Sequence, residues 1–299
     1  MGDTTASLRR KIGSAGDLQS VVRTMKALAA SSIGQYERSV RALADYDRTV
    51  QLGLAVCLRD SNPMTSLVTQ NDPSSAGAVG VVVFGSDQGL VGQFNQVVVD
   101  HALEVIAALP RDPLIWAVGE RVQSRLRDAG APLAGFFRLP SSVEAVAPLI
   151  GQVLVETEAR PGPAGEIVEL HLIFNRRTIG STYAPVAQRL LPLDEDWRRA
   201  HAGLRWPTAN LPEVMGGRMT TVRALIREYV FVSLFRACVE SLASENASRL
   251  AAMERADRNI NELLESLHGA FNRLRQSSID EELFDVISGY EALSTDGVR

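Results

Sequence analysis

The stretch TTASLRRKIGSAGDLQSVVRTMKALAASSIGQYERSVRALADYDRTVQLGLAVCLR, Thr4–Arg59, decides the architecture. It contains no proline and reads as one long helix. Heptad steps from Leu8 reach Ala15, Val22, Ala29, Tyr36, Leu43, Val50 and Cys57, none of them charged. The interleaved set is Ile12, Gln19, Lys26, Ile33, Val40, Asp47 and Leu54. A 3-4 spacing held over this length is a coiled-coil stripe rather than the face of a short surface helix.

The other end of the chain repeats the pattern. From about Val214 to Leu293 there is again no proline. Heptad steps give Leu225, Val232, Val239, Asn246, Met253, Ile260, Leu267 and Leu274, with Val222, Tyr229, Arg236, Ala243, Leu250, Asp257, Leu264 and Phe271 interleaved. The pattern slips near Ser278 and resumes as Ile279, Leu283, Val286, Ile287, Tyr290 and Leu293. At helical rise the first helix is about 80 Å long and the second about 120 Å, so the second outruns the first by about 20 to 25 residues. The two seams can bury each other in an antiparallel pair. Lys26, Arg236, Asn246 and Asp257 interrupt the stripes. They either fix register or mark where the pair faces another protein.

Between the helices the texture changes to apolar runs punctuated by Gly and Pro. Val79–Phe84, Leu114–Val118, Ile167–Phe174 and Thr182–Leu190 read as strands, and Val97–Leu109, Glu120–Ala129 and Val143–Glu158 as helices. The expected fold class is α/β: a long antiparallel coiled coil of the terminal helices with an inserted small open Rossmann-like domain. The divisions are 1–60 for the first helix, 78–192 for the α/β domain, 193–213 for a foot loop and 214–299 for the second helix. The joins are Ser61–Gly77, rich in Ser, Asn, Asp and Pro, and Leu193–Pro212.

Composition narrows the function. The chain has 299 residues, 45% hydrophobic and 22% charged, with a formal net charge of -4. That balance is globular and carries no basic field, so nucleic acid is not an expected partner. Cys57 and Cys238 are the only cysteines, which suits a reduced compartment and excludes a disulfide framework. No apolar run approaches the roughly 18 residues of a membrane span, and the polar start, Met1–Ala6, has no signal-peptide core.

Candidate chemistry is sparse. Gly85–Asn95 follows a strand and opens a helix, where a phosphate loop would sit, but its glycine spacing is not that of a dinucleotide loop. A tight strand-to-helix turn is the bland reading, and a ligand loop the sharper one. His101, His171, His201 and His268 lie in separate segments without metal-ligand spacing. Ser86 and Asp87 share no nucleophile motif with any of them. The acidic runs Asp194–Asp196 and Asp280–Glu282 read as solvated faces or helix starts.

The segments Val22-Arg23-Thr24-Met25-Lys26-Ala27-Leu28-Ala29-Ala30-Ser31, Ser86-Asp87-Gln88-Gly89-Leu90-Val91-Gly92-Gln93-Phe94-Asn95, Ser244-Glu245-Asn246-Ala247-Ser248-Arg249-Leu250-Ala251-Ala252-Met253 and Asn272-Arg273-Leu274-Arg275-Gln276-Ser277-Ser278-Ile279-Asp280-Glu281-Glu282-Leu283 resemble, in order, the motifs of the F-type ATP synthase gamma-subunit family. The resemblance covers nearly the whole chain. It departs at Gln88, where many members have Arg, at Asp280, where many have Thr, and after Ser31, where the usual basic run is replaced by Ser32–Arg38. These departures resemble the divergent bacterial alternate type associated with Na⁺-linked complexes, and they leave the coupling ion open.

The resemblance implies a non-catalytic rotor shaft that couples ion flow through a membrane c-ring to the cycling of catalytic beta subunits. It implies alpha, beta and epsilon subunits and the c-ring as partners, no cofactor, no bound metal and no membrane insertion. It implies a peripheral place on the cytoplasmic face of the bacterial plasma membrane. Carried over by motif, Met25, Lys26, Arg249, Arg275, Gln276 and Asp280 are the contacts with the alpha/beta ring that transmit torque. Two other functions stay open: a nucleotide- or small-molecule-binding α/β protein, and a structural coiled-coil adaptor.

Overall fold

The computed structural model describes residues 4–59, 77–159, 167–178, 181–201, 203–210, 212–214 and 217–296. Most of the Ser61–Gly77 join lies outside them, as do the side chains of Tyr290 and Leu293. In chain order the elements are α1 (Thr5–Arg59), β1 (Ala78–Phe84), α2 (Phe94–Ala108), β2 (Leu114–Val118), α3 (Glu120–Asp128), β3 (Leu133–Phe137), α4 (Val146–Ala159), β4 (Ile167–Thr178), β5 (Ser181–Leu191), α5 (Glu195–His201) and α6 (Arg218–Asp296). The chain divides into two compact units, residues 29–249 and residues 1–28 with 250–299.

The larger unit is built on a five-stranded sheet of order β3-β2-β1-β4-β5. β1 runs parallel to β2 and β4, β2 runs parallel to β3, and β5 returns antiparallel along β4. Every residue of β1 is buried, as its Val-rich run requires of a strand covered on both faces. Side chains alternate between the faces. Val81, Val83, Ile115, Ala117 and Ile173 pack with Val98, Val99 and Ala102 of α2 and Val122 and Leu126 of α3. Val82, Phe84, Trp116, Leu172 and Phe174 face the other way, toward Ile150 and Val153 of α4 and the long helices.

That second face explains the composition of α6. Between Tyr229 and Arg249 the helix has the sheet on one side and α1 on the other, so a single apolar stripe does not suffice. Ala237, Cys238, Ser241, Ala243, Ser244, Ala247 and Ser248 are all buried there, and their small size permits close approach on both sides. Tyr36, Val50, Leu54 and Leu58 supply the facing surface of α1. The seam interruptions Asp47 and Arg236 turn out to pair with each other at 3.0 Å. Tyr46 donates to Glu228 at 2.8 Å farther along the same antiparallel contact.

In the smaller unit Leu8, Ala15 and Val22 are buried seam residues of α1, with Met253 buried on α6. Gln19 meets Asn261, Arg23 pairs with Asp257 at 3.5 Å, and the Arg9 guanidinium lies 5.7 Å from the Phe271 ring centroid. These contacts share one antiparallel register. Polar seam positions therefore set register within the chain at Asp47, Arg236 and Asp257.

Several details differ from the sequence expectation. β3 was not anticipated: it is a short edge strand, Leu133–Phe137, that follows Pro132 and contains Gly135, and no residue in it is fully buried. α2 begins at Phe94, three residues earlier than the apolar period suggested. The 193–213 stretch is not all loop, since Asp194 caps a short helix by accepting from the Trp197 N–H at 3.1 Å. Asp194 is 4% exposed and also pairs with Arg189, so of the two readings of its acidic run the helix start holds and the solvated face does not. Asp280–Glu282 sits inside α6 as a solvated face, and α6 passes Ser278 without a break.

Candidate partner-binding surfaces and the loop after β1

The loop after β1 is the one place where the sequence offered a ligand site. Its polar groups are taken up by the chain itself. The Ser86 N–H donates to Asn95 Oδ1 at 2.9 Å, Asn95 Nδ2 donates to Ser86 Oγ at 2.7 Å, and Ser86 Oγ donates to the Gln88 carbonyl at 2.9 Å. Asp87 accepts from the Glu120 N–H at 2.8 Å and from the Leu139 N–H at 3.1 Å. One carboxylate thus satisfies the first turn of α3 and the chain leaving β3. The Arg121 N–H donates to the Ser86 carbonyl at 2.9 Å. Gly119 has φ +118°, and a Cβ there would lie 3.0 Å from the Ser86 backbone, so only glycine fits.

The far side of the loop is tied down as well. Ser248 Oγ of α6 donates to the Val91 carbonyl at 2.6 Å, and Asn175 Nδ2 of β4 donates to the Phe94 carbonyl at 2.9 Å. The Ser-Asp-x-Gly-Leu segment is a strand-to-helix turn that fastens the α/β domain to α6. Among the described residues no cluster of three or more His, Cys, Asp or Glu is placed to hold a metal.

Next to this fastening, α6 carries a buried polar patch. Arg249 donates to Glu245 at 2.5 Å and to Asn246 Oδ1 at 3.2 Å, while its Nε has no partner. Glu245 is 5% exposed. Burial pushes its carboxyl above the usual range, Arg249 pulls it down, and nearby Asp87 pushes it up; the net direction is upward. The Tyr36 hydroxyl is raised chiefly by burial and then by Glu245. Cys238, fully buried, has its thiol pushed far up, and Cys57 is raised by burial against the pull of Arg218.

The residues singled out by sequence fall in different surroundings. Met25 and Lys26 are half-buried on α1, and Arg275, Gln276 and Asp280 are exposed on α6 in the same unit. Leu18, Val21 and Leu28 are exposed apolar neighbours of Met25. Arg249 belongs to the other unit and is 9% exposed. Asn175 and Asn95 escaped the sequence reading as anchoring groups. An asparagine after a strand was the available signal, and it becomes readable only when the backbone carbonyl it serves is known.

The family model described as ATP synthase matches residues 4–293. The chain belongs to the ATP synthase gamma-chain family. It is 30% identical to the ATP synthase gamma chain of Parafrankia sp. (strain EAN1pec), over 96% of this chain and 97% of that one. It is 28% identical to the ATP synthase gamma chain of Clavibacter sepedonicus, over 99% of each. Two solved assemblies share the fold. One is the Euglena gracilis mitochondrial ATP synthase, OSCP/F1/c-ring, in rotational state 3. There the TM-score is 0.63 at 16% identity, over 99% of this chain and 96% of that one. The other is the Tetrahymena thermophila mitochondrial ATP synthase central stalk/c-ring, with TM-score 0.53 at 22% identity, over 79% and 99%. Membership of this family makes the chain a non-catalytic subunit of an ATP synthase. Among its described residues no helix is long and apolar enough to cross a membrane.

Proposed function

We propose that the chain is the rotating central shaft of an F-type ATP synthase, turned by a c-ring and enclosed by alpha and beta subunits, with epsilon at its foot. The observation that carries this reading is the end of α6. Ile279, Leu283, Phe284, Val286 and Ile287 are all exposed, at 51%, 56%, 69%, 70% and 44%. The register of Arg9 with Phe271, Gln19 with Asn261 and Arg23 with Asp257 places the partner of Thr4 near residue 276. An apolar face beyond that point is an association hazard in a free monomer and is accounted for by an enclosing apolar sleeve. Family membership supports taking that sleeve to be the alpha/beta ring.

The mechanism follows from asymmetry. A shaft has no catalytic group and acts by touching different beta subunits unequally. It shifts their open and closed populations only by the difference in its contact energy with each state. Met25 and Lys26, with the exposed Arg275, Gln276 and Asp280, are the proposed contacts. Arg249 is proposed to act from inside, stiffening its own turn of α6 through Glu245 and Asn246. The seat is the cytoplasmic face of a bacterial plasma membrane, where the complex is held by its membrane sector. Affinity purification of the tagged chain from its own cells tests the assignment. Alpha and beta subunits should co-purify stoichiometrically with it, and a chain recovered alone or as a homodimer would favour the adaptor reading.

A further inference from the structure

Three ion pairs join three elements of the larger unit in a closed triangle. Arg176 Nε of β4 lies 2.6 Å from Glu240 Oε2 of α6. Arg236 of α6, one turn from Glu240 and 3.9 Å from its other oxygen, reaches Asp47 of α1 at 3.0 Å. Arg177 of β4 pairs with Glu37 of α1. β4 thus holds α6, α6 holds α1, and β4 holds α1. The acids at the first two corners are sheltered, with side-chain exposures of 18% for Glu240 and 13% for Asp47. The strand end itself is fixed from below by Asn175, which donates to Phe94, and the Arg176 guanidinium lies 5.2 Å from the Phe174 ring centroid.

Apolar packing resists separation of the sheet from the helices but is less directional than a hydrogen bond, so it holds the angle about the α6 axis less sharply. Directional charge-assisted bonds hold it more sharply. Arg176 lies on the helix-facing side of β4 with Leu172 and Phe174, and the ladder is irregular between Arg176 and Thr178, where the adjacent Arg177 reaches α1 while Arg176 reaches α6. Two grips at separate points around the helix pair, closed by a third between the helices, oppose twist in both senses. We propose that this triangle is the torsional pin through which the α/β domain passes torque to the shaft helices, with Arg176, Arg177 and Arg236 as positioning residues. The proposal rests on the shaft reading.

The test uses the whole complex assembled with Arg176→Glu, Glu240→Arg or both. Its readouts are assembly yield, melting temperature, ATP hydrolysis, and ions pumped per ATP against an imposed gradient. Each single reversal should leave hydrolysis in place and lower pumping per ATP by about threefold or more, and the double reversal should restore most of it. A merely structural contact would lower yield and melting temperature without changing pumping per ATP, and that result overturns the pin. If a reversal does not assemble, Arg176→Gln carries the same readouts, and its failure to assemble also counts against the pin. Failure of the unmodified chain to assemble with alpha and beta subunits would sink the shaft reading instead.

Discussion

The Arg218 guanidinium donates to the Cys57 carbonyl at 2.6 Å, although the two residues are 161 positions apart in sequence. The end of α1 therefore meets the start of α6, as an antiparallel pairing of the two seams requires. Cys238 lies about 20 residues farther along α6, or about 30 Å at helical rise. A disulfide needs Cα atoms within about 7 Å.

Both thiols are free and buried, with their ionisation pushed upward by burial. Thiolate is the reactive form, so both should be inert at neutral pH. Maleimide labelling of the native protein should be slower than labelling in denaturant by about a hundredfold or more. Reductant should not change the activity of the complex, and a reductant effect abolished by Cys57→Ser would overturn this.

Asp87 predicts a stability effect without a ligand effect. Asp87→Ala leaves the Glu120 and Leu139 N–H groups without their acceptor, at a cost of about 2 kcal/mol of folding stability. Denaturant unfolding measures that cost. Calorimetry with ATP, ADP and phosphate should give no heat of binding for either protein, whereas a nucleotide heat lost in Asp87→Ala would restore the ligand-loop reading.

Glu245 predicts a pH dependence. Its folded-state ionisation lies above the ordinary value of 4.5 because it is buried, despite Arg249. Below the unfolded value both states are protonated and the full stability is present. As pH rises through the folded value, the carboxyl must ionise in a dry site and stability is lost. Glu245→Gln mimics the protonated form, so it should gain on the wild type as pH rises from 4 to 8, by about 1.4 kcal/mol per unit of upward displacement. A variant that instead loses ground with rising pH would mean that the Arg249 ion pair outweighs burial.

The end of α6 predicts a split between assembly and turnover. Deleting residues 278–299 removes exposed apolar surface that has no partner in the described part of its own unit. Complex yield should fall by about half or more while some ion-coupled ATPase remains, because a smooth sleeve offers little side-chain locking. Amide exchange in the isolated protein should be fast after about residue 276. Protection there equal to that of the paired region would show an internal partner and remove the argument for a sleeve.

The two long helices were legible because heptad periodicity repeats many times, and each repeat adds to the last. Leu8, Ala15 and Val22 are buried as the stripe requires, and Asp47 and Arg236, both interruptions of it, find each other. β1 and β2 were legible as apolar runs. β3 was not, because an edge strand is half-covered and its five residues include Gly135. The loop after β1 was legible as a place but not as a function. Whether Asp87 serves a ligand or the Glu120 and Leu139 amides depends on residues 33 and 52 positions away. The ion-pair triangle was invisible for the same reason, since Arg176, Glu240, Arg236, Asp47, Arg177 and Glu37 are brought together only by the fold. The foot helix was legible only as one of two readings of Asp194–Asp196, a helix start or a solvated face, and the Trp197 cap decides between them.

The most direct measurement is rotation. Because both native thiols are buried, a single exposed cysteine introduced at Arg205 can carry a bead while an immobilised alpha/beta ring holds the shaft. On addition of ATP the bead should turn continuously in one direction, stopping when ATP is withdrawn. A ring that hydrolyses ATP at full rate around this chain while the bead stays still would contradict the account.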